Sequence, residues 1–515
     1  MKQLIAALIF LLPGAAWSLT ISAYHTSDVH GWYFSRPAKW DKANSTRTIG
    51  GFPALSALLK TEKNPYILLD SGDTFQGTPE GTLTKGLATA KLMNQLGYSA
   101  AQVGNHDYDY TEANLRSVAA QSSFPWLGAN VYIKETGGQT DYLKPYTIVE
   151  KAGKRIAVIG IAGRHTATST LPLNVKHLEF RDEAAEAARW TEEVRKKEKP
   201  DAVILLVHMG FGADLYGQVE ISTWTFSAEK AALGTLAVAR AARPEVLFGG
   251  HNHVGLQKGH YDKESGTLLM ESYFGLTSVS RVDMDFDDKT GKFKSATARL
   301  IPLWTDVTGE DQAVLATLKV FSEQVDKEMS AVISESAADL GTSKAGLDSG
   351  IGNWFADAMR RQSGADVAFQ NTAGIRAELK KGAIRVRDIF QVMPFENTLV
   401  KLTMTGAQLK TLMADNLKGG FSKLQLSGLK VSFRKTEKGP ADIKLERNGA
   451  EIKPEEKLTV ATNNYLTTGG TGGAVFNEAE KSDDTMLPIR DLLIKDVKEH
   501  PIKEAPEGGR IVLLE

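Results

Sequence analysis

The segment Val103-Gly104-Asn105-His106-Asp107-Tyr108-Asp109 places four polar side chains directly after a short apolar run. A buried strand could not carry this cluster, because polar groups that are buried without partners cost several kcal/mol. The pattern therefore predicts a tight turn at the end of a strand, which directs these side chains to solvent or to a metal. An isolated cluster is also compatible with an ordinary polar turn, so the rest of the chain decides between the two interpretations.

Other apolar runs of the chain end in the same way. Residues 19–24, 66–69, 203–207 and 246–248 are predicted strands, and polar residues with ligand or acid–base side chains follow each of them. Any single histidine in these clusters could be an ordinary hydrogen-bonded surface residue. Chance does not readily place five of the ten histidines of the chain at strand ends. These five are His30, His106, His208, His251 and His253.

The predicted strands alternate with helices, of which residues 52–60, 84–96 and 183–197 are the clearest. Continuous apolar strands are typical of sheets that are covered on both faces. Their alternation with helices predicts an α/β fold, in which ligands bind at strand ends. Asp28 and His30 lie two residues apart, so in an extended chain they point to the same face and are a suitable start for a metal site.

Length and composition limit the class of protein. The chain has 515 residues, which is too long for one ordinary core, so at least two domains are expected. The net charge is −1 and no long basic run occurs, which argues against a nucleic acid polymer or an acidic membrane surface as the main partner. The chain contains no cysteine, which excludes disulfides and thiolate nucleophiles. No partner protein is indicated.

The N-terminus has the pattern of a secretory signal. Lys2 precedes the apolar run 4–12, and small residues before Leu19 suit cleavage. The apolar run is too short to span a bilayer comfortably, although an uncleaved anchor is the alternative. Residues 1–18 are therefore the predicted signal peptide, and the protein is expected to be exported, either periplasmic or secreted, without a stable membrane span.

The polar clusters at the strand ends carry a family resemblance as a set. They resemble the calcineurin-like metallophosphoesterases, and their order and spacing are similar to the secreted 5′-nucleotidase family. The resemblance implies an N-terminal metallophosphoesterase α/β sandwich followed by a second α/β (α+β) substrate-binding domain. The motifs are Asp28-x-His30, Gly72-Asp73, Gly104-Asn105-His106-Asp107, His208 and Gly250-His251-Asn252-His253.

The resemblance also implies a centre of two divalent metal ions. One metal would be bound by Asp28, His30, Asp73 and His253. The other would be bound by Asp73, Asn105, His208 and His251, so that Asp73 bridges the pair. Ligation by oxygen and nitrogen without sulfur suits Mn, Zn, Fe or Ni and does not select among them. Two metals about 3.5–4 Å apart can generate hydroxide at neutral pH and hold the phosphoryl oxygens during in-line attack.

By the same resemblance, His106 is the acid or electrostatic partner of the transferring phosphoryl group, and Asp109 is the partner of that histidine. A carboxylate that binds one imidazole nitrogen fixes the tautomer and raises the basicity of the ring. Asp70 and Asp107 lie in the same turns, and residues that support the turns are the favoured interpretation for both.

The second half of the chain also resembles the family. Residues 309–332 read as a long helix that connects the domains, although a peripheral helix of the first domain is equally compatible with the pattern. We expect the metallophosphoesterase domain at residues 19–308, the linker helix at 309–332 and the substrate-binding domain at 333–515. Residues 351–358 resemble the first helix of the 5′-nucleotidase C-terminal domain.

Three motifs in this half are similar to the substrate-binding motifs of the family. Arg376 would bind phosphate as a forked donor, and Phe395 and Tyr465 would sandwich a base. The alternatives are a core position for Phe395 and a packed loop position for Tyr465. The candidate substrate-binding residues are Asn371, Arg376, Phe395, Asn397, Tyr465 and Thr471.

Two positions depart from the family pattern. Thr471 stands where the family usually has an aspartate that binds the ribose hydroxyls, and Leu347 aligns with a usual arginine. Asn463-Asn464-Tyr465 is also similar to the 2′,3′-cyclic-nucleotide phosphodiesterases. The sequence therefore predicts a metal-dependent hydrolase of nucleotide phosphate esters. The alternatives are a 2′,3′-cyclic-nucleotide phosphodiesterase/3′-nucleotidase, a hydrolase of a non-nucleotide phosphate or sulfur ester, and a non-catalytic nucleotide-binding protein.

Overall fold

A computed structural model describes most of the chain, and the predicted signal peptide lies outside the described residues. The described chain forms two compact units, one within residues 1–168 and 174–321, the other within residues 169–173 and 322–515. None of the helices in the described part combines the length and the apolar character that a membrane crossing requires. The described residues are 19–167, 169–210, 234–343, 346–395, 397–469 and 472–514.

The first unit is built around two six-stranded sheets. In the first sheet the order is β16-β15-β1-β4-β5-β6, and the four strands β1, β4, β5 and β6 run parallel. In the second sheet the order is β13-β14-β12-β11-β9-β8, with β14, β12, β11 and β9 parallel. The strands of the unit are β1 (Leu19–Thr26), β2 (Arg36–Pro37), β3 (Thr48–Ile49), β4 (Tyr66–Asp70), β5 (Ala100–Gln102), β6 (Trp126–Leu127), β7 (Val131–Ile133), β8 (Tyr146–Lys151), β9 (Lys154–Ala162), β10 (Leu178–Phe180), β11 (Ala202–His208), β12 (Val246–Gly249), β13 (His260–Asp262), β14 (Thr267–Glu271), β15 (Ser278–Phe286) and β16 (Phe293–Pro302).

Helices cover the outer faces of both sheets. Apolar side chains of the two sheets meet in one core, to which Ile21 and Ile67 contribute from the first sheet and Val158 and Leu205 from the second. A second core joins the other face of the first sheet to α1, α3 and α4. This is an α/β sandwich, as predicted. The helices of the unit are α1 (Phe52–Leu59), α2 (Pro79–Thr84), α3 (Leu87–Leu96), α4 (Glu112–Gln121), α6 (Glu183–Glu198), α7 (Thr235–Ala242) and α8 (Thr305–Thr308). Helices α5 (Pro172–Val175) and α9 (Gln312–Met329) each include residues of both units.

Two predicted helices have different limits in the structure. The segment 84–96 is not one helix, because Lys85 and Gly86 have left-handed backbones with φ of 49° and 85° and separate α2 from α3. The long helix 309–332 is shorter than predicted. Gly309 has φ of 71° and ends α8, so that α9 begins only at Gln312 and ends at Met329.

The second unit has its own sheets and its own cores. Its main sheet has the order β21-β18-β25-β20-β26, and a smaller sheet has the order β24-β23-β22-β27. Strand β18 ends at Asn371 and β25 ends at Asn463, so the polar motifs again follow strands. The strands are β17 (Val332–Ser336), β18 (Val367–Asn371), β19 (Gly382–Arg385), β20 (Thr398–Thr405), β21 (Leu424–Ser427), β22 (Lys430–Thr436), β23 (Gly439–Arg447), β24 (Ala450–Glu451), β25 (Lys457–Asn463), β26 (Lys481–Pro488) and β27 (Ile511–Leu514). The helices are α10 (Gly350–Ser363), α11 (Val386–Val392), α12 (Gly406–Asn416), α13 (Asn464–Thr467) and α14 (Ile489–Glu499).

Candidate metal centre

The carboxyl ends of five strands of the first unit converge on one cluster of ligand-type side chains. Strands β1, β4 and β5 come from one sheet, and β11 and β12 come from the other. Two groups of three side chains, which share one residue, each have their ligand atoms within 4.8 Å of one another. Asp28, His30 and His253 form one group, and Asp28, Asp73 and His208 form the other.

His30, His253 and the two aspartates define a first subsite. The Nε2 atoms of His30 and His253 are 3.0 Å apart, and His253 Nε2 lies 3.7 Å from Asp28 Oδ1. His30 Nε2 is 4.0 Å from Asp73 Oδ2. Two atoms that bind one metal at about 2.1 Å, with an angle of about 90–110° between the bonds, lie about 3.0–3.4 Å apart. The observed separations are at or slightly above this range, so these four side chains fit one cation.

Asp73, Asn105, His208 and His251 define a second subsite. His208 Nε2 lies 3.0 Å from Asp73 Oδ2 and 3.2 Å from Asn105 Oδ1. The Nδ1 atom of His251 is 3.1 Å from the same Asn105 oxygen. The side chains of this subsite offer oxygen and imidazole nitrogen, which is the donor set of divalent first-row metals. Asp73 contacts histidines of both subsites, as a bridging ligand must.

Hydrogen bonds determine the tautomers of two of these histidines. The Nδ1 atom of His30 lies 2.8 Å from the carbonyl oxygen of Gln76, and Nδ1 of His208 lies 2.6 Å from the carbonyl oxygen of Ser71. A carbonyl can only accept, so each Nδ1 carries the hydrogen. In the neutral rings the Nε2 lone pairs therefore face the cluster, which is the arrangement in which imidazole binds a metal.

The electrostatics of the cluster favour a cation. Burial raises the pKa of Asp28, and the adjacent Asp73 carboxylate raises it further. Burial alone would lower the pKa of His208, but Asp73 and Asp28 raise it to about 9. Burial lowers the pKa of His30 to about 4. The two buried carboxylates thus favour a positive charge between them, which the proton on His208 supplies and which a bound cation would supply in its place.

The backbone of the candidate ligands is unusual. Among the described non-glycine residues with φ above zero are five of the seven candidate ligands, at angles between 48° and 75°. Left-handed backbone costs an L-residue roughly 1–2 kcal/mol. The strand-end turns therefore direct these side chains inward against a local conformational preference. The five residues are Asp28, His30, Asp73, His251 and His253.

Asp107 and Asp70 hold the turns rather than the cluster itself. The carboxylate of Asp107 accepts hydrogen bonds from the backbone N–H groups of Asp73, Thr74 and Gly104, at 3.0, 3.0 and 2.8 Å, and from the Thr74 hydroxyl at 2.9 Å. Asp107 therefore joins the turn after β4 to the turn after β5. Asp70 accepts from the Gly72 N–H at 2.7 Å and from a β1 hydroxyl. Both act as supports of the turns, as the sequence favoured.

His106 lies at the rim of the cluster. Its Nδ1 atom is 2.7 Å from Asp109 Oδ2, and its backbone N–H donates to Asp73 Oδ1 at 2.8 Å. About a third of the side chain is exposed (34%), and its ring centre is 5.5 Å from that of His30. The predicted pair of His106 and Asp109 is therefore formed, and Asp109 accepts the Nδ1 hydrogen when the ring is neutral. Nε2 is then the nitrogen that can act on a substrate.

One histidine of the cluster was not among the predicted site residues. His165 follows the end of β9 by three residues, and its ring stacks on His251 with ring centres 3.8 Å apart. With His208 and His251 it forms a further group whose nitrogen atoms lie within 4.8 Å of one another. The signal for His165 was the same as for the other histidines, a polar residue shortly after a buried strand. Gly163 and Arg164, however, separate His165 from the end of β9.

The predicted substrate-binding residues of the second unit are partly brought together. Asn463 Nδ2 donates to Asn371 Oδ1 at 2.8 Å, and Asn397 Nδ2 donates to Asn464 Oδ1 at 2.9 Å. These bonds connect the turns that carry the three motifs. Phe395 and Tyr465 are each 43% exposed, so the alternative of a core position does not hold for Phe395.

Arg376 lies beside the same turns. Its guanidinium carbon is 6.0 Å from the ring centre of Phe395, and Nη1 donates to the carbonyl oxygen of Ala373 at 3.2 Å. Thr471, the departure from the family pattern, lies outside the described residues. Leu347 packs against an apolar core of the unit.

Comparison with known protein families agrees with this geometry. A model for calcineurin-like phosphoesterases matches residues 21–255, and a model for the 5′-nucleotidase C-terminal domain matches residues 331–478. The first match and the cluster of ligands define a metal-dependent phosphoester hydrolase. The two matches in this order give the chain the domain arrangement of the 5′-nucleotidase family, a metallophosphoesterase domain followed by a 5′-nucleotidase C-terminal domain.

Individual relatives support the assignment. The trifunctional nucleotide phosphoesterase protein YfkN of Bacillus subtilis is 27% identical over 547 residues; the match covers 96% of this chain, which spans about a third (35%) of that longer protein. The 5′-nucleotidase of Vibrio cholerae is 27% identical over 496 residues, which cover 88% of this chain and 86% of that protein. The 5′-nucleotidase precursor from Thermus thermophilus has a similar structure, with a TM-score of 0.59 and 25% identity over 96% of this chain and 100% of that chain.

Proposed function

We propose that the protein is an exported phosphoesterase with two divalent metal ions that hydrolyses phosphate esters of nucleotides. The observation that carries the proposal is the convergence of seven ligand side chains from five strand ends into two subsites that share Asp73. The names of the relatives, a 5′-nucleotidase and a nucleotide phosphoesterase, support nucleotides as the substrate class.

The proposed roles follow from the contacts of each side chain. Metals held here would act as Lewis acids that activate water and neutralise the phosphoryl oxygens. The ring centre of His106 lies 5.5 Å from that of His30, and its backbone N–H donates to the shared Asp73. Asp109 keeps Nδ1 of His106 protonated. The Nε2 atom of His106 would donate to a phosphoryl oxygen or stabilise its charge during transfer. Because these steps need no thiol, the absence of cysteine from the chain is consistent with them.

The second unit would bind the substrate. Exposed aromatic rings such as Phe395 and Tyr465 can stack on any base, and Arg376 can hold a phosphate with two parallel hydrogen bonds. Asn371 and Asn397 would fix the turns that carry these groups. We keep the predicted limits of the two domains, 19–308 and 333–515, and the linker 309–332, as part of the proposal. Export rests on the N-terminal sequence alone.

A wider substrate range is the second candidate function. The Bacillus relative is called trifunctional, and Thr471 here replaces the aspartate expected to bind the ribose. A site without that carboxylate loses a specific partner for the free ribose hydroxyls. Cyclic nucleotides, in which these hydroxyls are esterified, would then be accepted more readily than in a site that requires them.

The decisive experiment separates these substrates. Purified protein is loaded with Mn or Zn and incubated with AMP, 2′,3′-cyclic AMP or an aryl phosphate, and the products are resolved by chromatography. His106→Ala is compared with His177→Ala, because His177 is a half-exposed histidine paired with Glu112 and lies outside the cluster.

Hydrolysis of AMP that is lost in His106→Ala and kept in His177→Ala is the expected result. The loss in rate should be about 10²–10⁴-fold. Hydrolysis of the aryl phosphate alone would overturn the nucleotide assignment. Absence of hydrolysis with either metal would overturn the enzymatic proposal and favour a nucleotide-binding protein.

A further inference from the structure

Each histidine of the Gly250-His251-Asn252-His253 motif has a second ring stacked on it from outside the motif. The ring of His165 lies over His251 with centres 3.8 Å apart and planes inclined by 28°. The ring of Phe274 lies over His253 with centres 4.7 Å apart and planes inclined by 14°. The two subsites are therefore each bordered by a stacked pair of rings.

His165 could in principle bind a metal together with His208 and His251, because their nitrogen atoms lie within 4.8 Å of one another. Ring geometry decides against this. A bound imidazole places its ring centre about 3.2 Å from the metal, so two rings whose bonds meet at about 90–120° have centres about 4.5–5.5 Å apart. The pairs His30–His253 and His208–His251 satisfy this, at 5.0 and 5.3 Å.

The distances of His165 fall on either side of that range. Its ring centre is too close to His251, at 3.8 Å, and too far from His208, at 6.1 Å. Its nearly parallel orientation to His251 is that of a stacked ring. His165 therefore contacts the face of a ligand instead of sharing its metal.

The chain holds both stacking residues in place. A Cβ on Gly163 would lie 2.1 Å from Cε1 of His165, so only glycine lets that ring occupy its position. Arg164, the neighbour of His165, is bound to Glu183 through its backbone N–H and its guanidinium group, at 2.6 and 2.8 Å.

The segment that carries Phe274 is bound to both ligand loops of the first subsite. The Gly275 N–H donates to the carbonyl oxygen of Asp28 at 2.7 Å, and the Tyr273 N–H donates to the carbonyl oxygen of Val254 at 2.8 Å. Phe274 is thus fixed between the turn of Asp28 and the turn of His253. Both motif histidines have left-handed backbones, with φ of 75° and 55°.

We infer that His165 and Phe274 are positioning residues, each of which sets the ring plane of one histidine ligand and thereby the affinity of one metal subsite. The inference rests on the proposed two-metal site. Removal of a neighbour that orients a metal ligand typically weakens metal affinity by about 10–100-fold. We expect His165→Ala to weaken the second subsite and Phe274→Ala to weaken the first, each about tenfold.

The test measures metal binding and not activity. Full-length protein is stripped of metal and titrated with Zn by calorimetry. The Mn-loaded protein is examined by electron paramagnetic resonance, in which a coupled pair of ions differs from a single ion. His165→Phe and Phe274→Tyr keep an aromatic ring, so they should stay within about threefold of wild type. His177→Ala is the control for loss of an imidazole elsewhere in the unit.

Each outcome has a defined meaning. The inference is supported if each alanine variant binds one of the two ions more weakly and the aromatic variants keep the affinity of wild type. If His165→Phe and His165→Ala lose the same metal affinity, a nitrogen of His165 is required, and stacking is overturned as the cause. If a variant binds both ions equally more weakly, the protein is destabilised in general, and this result would also overturn the inference. Two ions with unchanged affinities would overturn this inference alone, whereas fewer than two ions in wild type would overturn the proposed site as well.

Discussion

Replacing Asp107 by asparagine tests how the turns of the candidate centre are held. The Asp107 carboxylate receives four hydrogen bonds, two on each oxygen, from Asp73, Thr74 and Gly104. It does not face the metal subsites, so the substitution changes the support of the ligands and leaves the ligands themselves in place. The residue is fully buried, so water cannot replace a lost bond.

The magnitude follows from the bonding pattern. An asparagine amide has one oxygen that can accept and one nitrogen that cannot, so two of the four donors lose their acceptor in either orientation. Hydrogen bonds to a charged group contribute about 1.5–3 kcal/mol each, which predicts a loss of about 3–6 kcal/mol. Burial, and then the Asp73 carboxylate, raise the pKa of Asp107, so removal of its charge offsets part of this loss. We therefore expect a net destabilisation of about 2–5 kcal/mol.

The assay is urea unfolding of the metal-free protein at pH 7. Hydrogen exchange of peptides from β4 and β5 identifies the transition of the first unit. Asp288→Asn, an exposed position in the turn between β15 and β16, serves as the control and should change stability by less than about 0.5 kcal/mol. A change in Asp107→Asn as small as in the control would refute the view that this carboxylate joins the two turns.

Three further predictions concern single side chains. Gly104→Ala places a Cβ 2.2 Å from a carboxylate oxygen of Asp73, the proposed bridging ligand, so calorimetric titration should show loss of metal binding, and unchanged affinity would refute the steric argument. Burial alone would raise the pKa of Asp262, but hydrogen bonds from Arg240 and Ser265 lower it to about 2, so its contribution to stability is present above pH 4 and is lost as the pH falls through about 2. The difference in unfolding free energy between wild type and Asp262→Asn should be about 1–3 kcal/mol at pH 6 and shrink below pH 4; a difference independent of pH would contradict the ionised pair. Phe395→Ala and Tyr465→Ala should raise KM for AMP about 5- to 100-fold and leave KM for glycerol phosphate nearly unchanged, whereas equal effects on both substrates would exclude base stacking.

Local sequence was sufficient for the strands and for the polar residues that directly follow them. Asp28, His30, Asp73 and Asn105 each lie within four residues of the end of a buried strand, and parallel strands bring such ends to one edge. This pattern involves only neighbouring residues, so it can be recognised without knowledge of the tertiary structure. His208, which ends a fully buried strand, was predictable for the same reason.

Features that depend on distant partners could not be predicted in this way. The roles of Asp70 and Asp107 became definite only through their hydrogen-bond partners; those of Asp107 include the turn of another strand, 33 and 34 residues away. His165 acts through contact with a ring 86 positions later in the chain. The division between α2 and α3 depends on the left-handed backbone of Lys85, and lysine carries no strong preference for that conformation.

The left-handed turns at the strand ends also restrict how this centre can change in evolution. Aspartate, asparagine and histidine are the non-glycine residues that adopt this backbone most readily, and they are also oxygen and nitrogen ligands. At five of the candidate ligand positions, the residue must both adopt the left-handed backbone and offer an oxygen or nitrogen ligand. A β-branched residue is strongly disfavoured there by its backbone, and a cysteine or glutamate ligand would also pay the conformational cost of left-handed backbone. Changes of metal preference in such a scaffold are therefore more accessible at Asn105 and His208, outside the left-handed set, than at the other five positions.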